Sequence, residues 1–373
     1  MRGIAERGRT ILGEAGLGKS ALVRRIAHLA QEGGDWVTPQ LRIPSGGDPM
    51  KVVAQAVLDL ANQAGLAVAR EERVRNVVER VRAVAVAGLS ITLDRHPGPE
   101  PFTALTALLT EIGARAADAG KAVLIHIDEV QNISGAQALS QLLIALGDAL
   151  VYERTIVAPG GLQVRQALPI AVYLTGLPEF AETTVTCGGA TFARRFATTV
   201  LEPIEQADLT MALSGFVLEG WELADDAGGT HRIRMSQEAA ALIADLCCGE
   251  PFLFQLAGER AWFAGISDEI TIDDVREGWA TVRTEATAHV ERILTRLPTK
   301  ERRFLEAMAA LPAEQRSATN IAKAMGLADA SKVGQAAQRL DTMRGIVDRG
   351  KPYTFRHRAI EAYLTSSWPR VEA

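Results

Sequence analysis

An α/β fold, with a buried parallel sheet in the N-terminal half and helices in the C-terminal half, is what the sequence predicts. Three observations carry that expectation. Thr10-Ile11-Leu12 is a short apolar run, followed by Gly13-Glu14-Ala15-Gly16-Leu17-Gly18-Lys19-Ser20, and then by Leu22, Ile26, Leu29 and Ala30 at helical spacing. That is strand, glycine loop, helix. Ala122 to Ile127 is a nearly continuous apolar run, the pattern of a strand covered on both faces, and it ends in Asp128-Glu129. From Gln206 onward the apolar spacing is helical.

Taken in order, the first strand and the glycine loop fill about 7–20, and the first helix about 19–32, closed by Gly33-Gly34-Asp35. Trp36 to Ile43 reads as a second strand. After the loop Ser45–Pro49, the spacing of Val52, Val53, Ala56, Val57 and Leu60 predicts a helix. Further helices are expected at about 71–87, 101–119 and 135–150, with an irregular Gly- and Pro-bearing connection at 88–99. Ile170 to Leu174 is another buried strand, ended by Thr175-Gly176-Leu177-Pro178. A flexible loop at 186–190 and Phe192-Ala193-Arg194-Arg195-Phe196 lead to a last strand, Thr199-Val200-Leu201. Helices are then expected at 206–221, 236–248, 251–264, 272–285, 287–296, 299–311, 318–325 and 331–344. Gly345 to Phe355 has the pattern of a two-stranded hairpin with a basic turn. The expected domains are 1–204, 205–285 and 286–373.

The glycine loop reads G-x-x-x-x-G-K-S. Gly13, Gly16 and Gly18 let the backbone curl until several N–H groups point at one anion. The helix that starts there presents its positive dipole end. The whole stretch, Gly13, Glu14, Ala15, Gly16, Leu17, Gly18, Lys19 and Ser20, is thus a candidate phosphate cradle, with Lys19 on the β- and γ-phosphates and Ser20 on Mg²⁺. At the strand tip, Asp128 is the candidate for the Mg²⁺ shell, and Glu129 for orienting or deprotonating a water. Thr175, at the next tip, is placed to touch the γ-phosphate or that water.

Composition sets bounds. The 373 residues are 47% apolar and 23% charged, enough for two or three domains with real cores. There is no run of 18 or more uncharged apolar residues and no apolar N-terminal stretch, so no spanning helix, no secretory signal and no membrane contact are expected, and the cysteine usage points to a reducing, cytoplasmic setting. Cys187, Cys247 and Cys248 give no disulfide framework, and the six histidines show no metal-ligand spacing. His126, inside an apolar strand, reads as a satisfied core residue. Net charge is −5, but residues 286–373 carry 15 Lys/Arg against 9 Asp/Glu, a net of +6 that leaves −11 for the rest. That asymmetry points to a C-terminal module facing an acidic partner.

On the glycine loop, the Asp128-Glu129-Val130-Gln131 tip, Tyr173 to Pro178, Arg194-Arg195-Phe196, Gly249 to Leu256 and the C-terminal helix-turn-helix with its hairpin, the chain resembles the AAA+ ATPases of the branch related to origin-recognition initiators. The resemblance implies a parallel sheet in the order 5-1-4-3-2, a helical lid and a C-terminal winged helix. It implies ATP and Mg²⁺ as cofactors, held between base and lid at a subunit contact, and hence a homo-oligomer when ATP is bound. Thr175 then matches a sensor, and Arg194 or Arg195 an arginine finger acting on a neighbour; the other reading is a solvated Arg pair. Two departures stand out. The first strand begins within about ten residues of Met1, where the family has an adenine-cradling segment. The positions after Pro251 are Phe252, Leu253 and Phe254, where the family often has a sensing arginine.

In the C-terminal module Ser331 is expected to cap a helix that shows Lys332, Gln335, Arg339 and Thr342 outward and packs Val333, Ala336, Leu340 and Met343 inward. Such a helix suits a major groove, with duplex DNA contacted through 318–358; the alternative is a winged helix that makes protein contacts only. The expected function is an ATPase that couples nucleotide state to assembly on DNA or a partner. Two others compete with it: a slow-turnover signalling switch regulating a protein through its winged helix, and a binding module without hydrolysis, against which Glu129 speaks.

Overall fold

The computed structural model describes residues 8–65, 101–186, 195–224 and 229–371. The expected helix at 71–87, the connection 88–99, most of the loop 186–190, Cys187 and Arg194 lie outside them. Packing divides the chain into two compact units. One is Met1–Leu12 with Lys19–Thr199; the other is Gly13–Gly18 with Val200–Ala373.

The first unit runs β1 (Gly8–Leu12), α1 (Lys19–Glu32), β2 (Trp36–Val37), β3 (Leu41–Arg42), α2 (Pro49–Gln63), α3 (Pro101–Asp118), β4 (Val123–Asp128), a 3-10 turn (Val130–Asn132), α4 (Ala136–Val151), β5 (Glu153–Val157), β6 (Gln163–Ala167), β7 (Ile170–Gly176), α5 (Phe180–Thr186) and β8 (Phe196–Val200). The central sheet has the order β8-β1-β7-β4-β2, with β3 also on β4. The β1–β7, β4–β7, β2–β4 and β3–β4 pairs are parallel. This is the expected 5-1-4-3-2 order, with the second place shared by two short strands. The strand expected over 36–43 breaks because Pro39 has no N–H to give to the ladder. Every residue of β4 is buried, as its apolar run requires.

Helix α1 packs on β2, β4 and β7; α2, α3 and α4 pack on one another, and each on a strand of the sheet. The buried face of α1 differs from the expected one: Val23 goes under, while Leu22 and Leu29 are exposed. Asp48 caps α2, accepting from the N–H groups of Met50 (2.9 Å) and Lys51 (3.3 Å), and Pro49 opens the helix at no cost in hydrogen bonds. Between α4 and β7, β5 and β6 form an antiparallel hairpin that the apolar pattern does not announce.

The second unit comprises α6 (Gln206–Leu218), β9 (Trp221–Ala224), β10 (Thr230–Met235), α7 (Gln237–Leu246), α8 (Pro251–Ala264), β11 (Glu269–Ile270), α9 (Ile272–Arg296), α10 (Thr299–Ala309), a 3-10 turn (Ala313–Gln315), α11 (Ala318–Ala324), α12 (Ser331–Thr342), β12 (Val347–Asp348), β13 (Thr354–Phe355) and α13 (Arg358–Thr365). It is less helical than expected: β11-β10-β9 form a three-stranded sheet. Helix α6 stops early because Gly220 turns the chain at φ +75°, after which Trp221-Glu222-Leu223-Ala224 alternates in the strand manner. The helices expected at 272–285 and 287–296 are one 25-residue helix, α9, started by a reciprocal Thr271–Asp274 capping box. Its Trp279 is fully buried and donates its indole N–H to the Pro369 carbonyl at 2.8 Å.

The expected helix-turn-helix is present as α11 and α12, and β12 pairs antiparallel with β13. Ser331 is not the cap of α12. It is the first helical residue, and its N–H donates to Asp329 Oδ1 at 2.8 Å. Cys247 and Cys248 are free thiols. Burial, the chief cause in both, pushes Cys247 up to about 11 and Cys248 up to about 12. Among the described residues no helix is long and apolar enough to cross a membrane.

Candidate functional site

Three features place a polar cluster at the carboxyl edge of the central sheet. The period of two in β4 puts His126 and Asp128 on one face. The β4–β7 register, Ile127 opposite Leu174, sets Thr175 beside Asp128. The β3–β4 register sets Arg42 opposite Asp128. Ser20, in the first turn of α1, completes the group: its Oγ lies 2.9 and 3.0 Å from the two carboxylate oxygens of Asp128. Thr175 and Gln40 also donate to that carboxylate, and Arg42 Nε stands 3.4 Å from Oδ2. Asp128 and Thr175 are both buried. Burial alone would raise the Asp128 carboxyl. The bonds from Thr175 and Ser20, the field of His126 and the bond from Gln40 outweigh it and hold the group below the usual carboxylate range.

His126 meets Thr175 Oγ1 at 3.1 Å. Burial pushes its imidazole below the ordinary value, against the pull of Asp128 in the other direction. It is the satisfied core histidine the sequence suggests. Thr175 is committed to Asp128 and His126, so in this structure it orients the acid. Gln40 and Arg42 carry no signal in the sequence, where they sit inside one expected strand; only the register shows that Arg42 reaches the acid.

Glu129 is exposed and follows directly. Its backbone is left-handed, φ 54° and ψ 46°, a region that costs a residue with a Cβ about 1 kcal/mol or more. Its Oε2 accepts from Asn132 Nδ2 at 3.0 Å. Gln131 fixes the neighbouring tip, accepting from Leu177 N–H at 3.1 Å. The left-handed step turns the chain sharply at the strand end, so Asp128 points inward while Glu129 stands in solvent.

The glycine loop, described within the second unit, has left-handed backbone at Gly16 (φ +91°) and Gly18 (φ +80°). At Gly16 a side chain is excluded twice over, since a Cβ would stand 2.6 Å from His289 Cε1. The Gly16 carbonyl accepts from Phe252 N–H at 3.1 Å. Glu14 is buried and ion-paired with Arg296 at 2.5 Å, and Arg344 Nη1 stands 3.7 Å from its other oxygen. Ala15 is exposed and Leu17 is buried. Lys19 and Ser20 open α1, where no acid occupies the first turn. Glu250, fully buried, contacts His289 and stands 3.1 Å from His357 Nδ1. Burial pushes His357 below the ordinary imidazole value, with Glu250 opposing.

Arg195 is paired with Asp148 on α4. Of the outward residues expected on α12, Lys332, Gln335 and Thr342 are exposed. Arg339, expected outward, is only partly exposed: its guanidinium stands 2.8 Å from buried Glu301. Arg349 donates to Asp341 at 2.9 Å, and Arg356 pairs with Asp341 as well. Much of the positive charge of 286–373 is therefore matched by acids inside the same unit.

A scan of protein-family models gives no match, and neither does a search of curated proteins. Solved structures do match. The ORC2 protein of Aeropyrum pernix in its ADPNP–ADP complexes superposes with a TM-score of 0.51 at 16% identity, covering 96% of this chain and 86% of that one. The Walker-type ATPase PABY2304 of Pyrococcus abyssi gives 0.54 at 13% identity, covering 95% and 90%. The chain has the AAA+ fold of the origin-recognition ATPases.

Proposed function

We propose that the protein is a Mg²⁺-dependent ATPase that couples its nucleotide state to assembly on duplex DNA or a protein partner, as a base (1–204), a lid (205–285) and a winged helix (286–373). The observation that carries the reading is the meeting of Ser20 and Asp128, which sets a hydroxyl and an ionised carboxylate 2.9 Å apart at the N-terminus of the helix that follows the glycine loop. Two hard oxygen donors, both hydrogen-bonded, fit Mg²⁺, which binds proteins through few oxygens and keeps several waters. The ion would neutralise charge on the β- and γ-phosphates. The loop N–H groups and Lys19 bind and orient the triphosphate. Thr175, His126 and Gln40 keep Asp128 ionised and aimed. Glu129, in solvent at the same edge, takes the proton of a water attacking the γ-phosphorus in line. The solved ORC2 structure of the same fold holds ADPNP and ADP, which supports nucleotide as the ligand. The free thiols of Cys247 and Cys248 suit a cytoplasmic setting.

The second reading, a slow-turnover switch whose C-terminal module meets protein, is favoured by one observation: Arg339, Arg349 and Arg356 are engaged by Glu301 and Asp341. The primary test is direct titration with ATP. Lys19→Ala removes a charge-assisted contact worth about 1.5–3 kcal/mol and should weaken binding roughly ten- to a hundredfold. An unchanged affinity would defeat the phosphate-loop assignment.

A further inference from the structure

Glu14 carries no role in the chemistry above, yet among the described residues it is one of the most buried acids. A loop residue of this kind normally sits in water, and a carboxylate removed from water must be matched by charge or hydrogen bonds. Here the match comes from the end of α9 and the segment after α12, all within the second unit. Arg296 donates to Glu14 Oε2 at 2.5 Å. Arg344, itself buried, stands 3.7 Å from Glu14 Oε1 while its Nε donates to Glu301 Oε2 at 2.6 Å. Arg339 of α12 holds the other oxygen of Glu301 at 2.8 Å. The result is an unbroken chain of charges, Glu14–Arg344–Glu301–Arg339, from the second residue of the glycine loop to a half-exposed arginine on α12. Phe252, bonded to Gly16, and His289, against it, fix the middle of the same loop.

We propose that Glu14 is a positioning residue for the phosphate loop and that Arg344 is its anchor, so that nucleotide affinity depends on the charge state of the C-terminal helices. The inference deepens the nucleotide reading and rests on it. Arg344 is shared between two acids. Whatever strips Arg339 from Glu301, an anionic group of a partner on α12 for instance, leaves Glu301 to Arg344 alone and loosens Arg344 from Glu14. By linkage the effect is reciprocal: nucleotide on the loop alters how readily Arg339 is released to a partner. The loop takes its cationic contacts from Arg296 and Arg344, through Glu14.

The test is a double-mutant cycle on the full chain, read as the dissociation constants of ADP and a non-hydrolysable ATP analogue, with thermal melting alongside. Glu14→Gln and Arg344→Gln should each weaken nucleotide binding about three- to tenfold, and the double variant no more than the worse single one, because Arg344 acts on the loop only through Glu14, whose pair with Arg296 the Glu14 variant loses as well. Arg344→Lys should recover part of the loss. Arg339→Gln, at the outer end of the charge chain, should weaken binding about two- to fivefold with its melting temperature little changed. Should a single variant fail to fold for want of a buried countercharge, the double variant, which removes the charges as a pair, carries the measurement. Additive losses, tighter binding by Glu14→Gln, or affinities unchanged within twofold would overturn the proposal. Loss of binding on Lys19→Ala beside such unchanged affinities would leave the nucleotide reading standing; no nucleotide binding by the wild-type chain would sink that reading instead.

Discussion

Asp128 and Glu129 are neighbours in sequence and opposites in environment. One is buried, ionised and fully bonded; the other is exposed in a left-handed turn with one tether, to Asn132. On the proposed reading the pair would divide labour accordingly, the buried acid as metal ligand and the exposed one as base. Glu129→Gln keeps the shape and the Asn132 contact but cannot accept a proton. Turnover should fall by a factor on the order of 10²–10⁴ while nucleotide affinity stays near wild type; steady-state phosphate release beside a binding titration measures both, and normal turnover would remove the base. Both acids stand out in the sequence because they close an apolar strand downstream of a glycine loop. Gln40, Arg42 and the role of Glu14 are not legible, since each acts through a partner brought near only by register or packing.

Elements whose burial is complete are the easiest to read. Strand β4 announces itself by six residues that all go under; α12, which buries only Val333, Ala337 and Leu340, is read from its apolar spacing instead. Hairpin β5–β6 escapes a reading by pattern because its strands set exposed beside partly buried residues without regard to polarity and bury none fully. The β9–β10 pair escapes it too, with most of its residues exposed, although the sequence carries Gly228-Gly229 between the two strands. Helix α9 runs through the domain boundary expected at 285, where the sequence has no breaker. At this scale the DNA reading acquires a sharper form. On α12 and the β12–β13 hairpin the exposed lysines are Lys332 and Lys351, whereas Arg349 is held by Asp341. Lys332→Ala and Lys351→Ala should each lower the slope of log affinity against log salt by about one, and Arg349→Ala by much less. Anisotropy with duplex DNA across a salt series, on the full chain with an ATP analogue, reads this; no binding at low salt would favour the protein-contact alternative.

For the whole molecule, the open matter is whether one chain completes its own site. Arg195 is held by Asp148 on its own α4, so service to a neighbour requires that pair to part. If it does, turnover per chain should rise with protein concentration, and an Arg195→Ala chain mixed with a Lys19→Ala chain should regain activity at the one interface where both parts are intact; flat turnover without rescue would assign Arg195 to its own unit alone. A different consequence follows from the six residues Gly13–Gly18, which pack with a unit whose remaining chain begins only at Val200. In sequence, this six-residue piece of the second unit falls inside the span of the first. No single cut between Lys19 and Thr199 yields two self-sufficient pieces: the N-terminal product keeps Glu14 without its arginines, and the C-terminal product keeps Arg296 without its acid and Arg344 with Glu301 alone. Dissection by truncation is therefore the wrong tool here, and grafting the glycine loop onto the C-terminal piece is the right one.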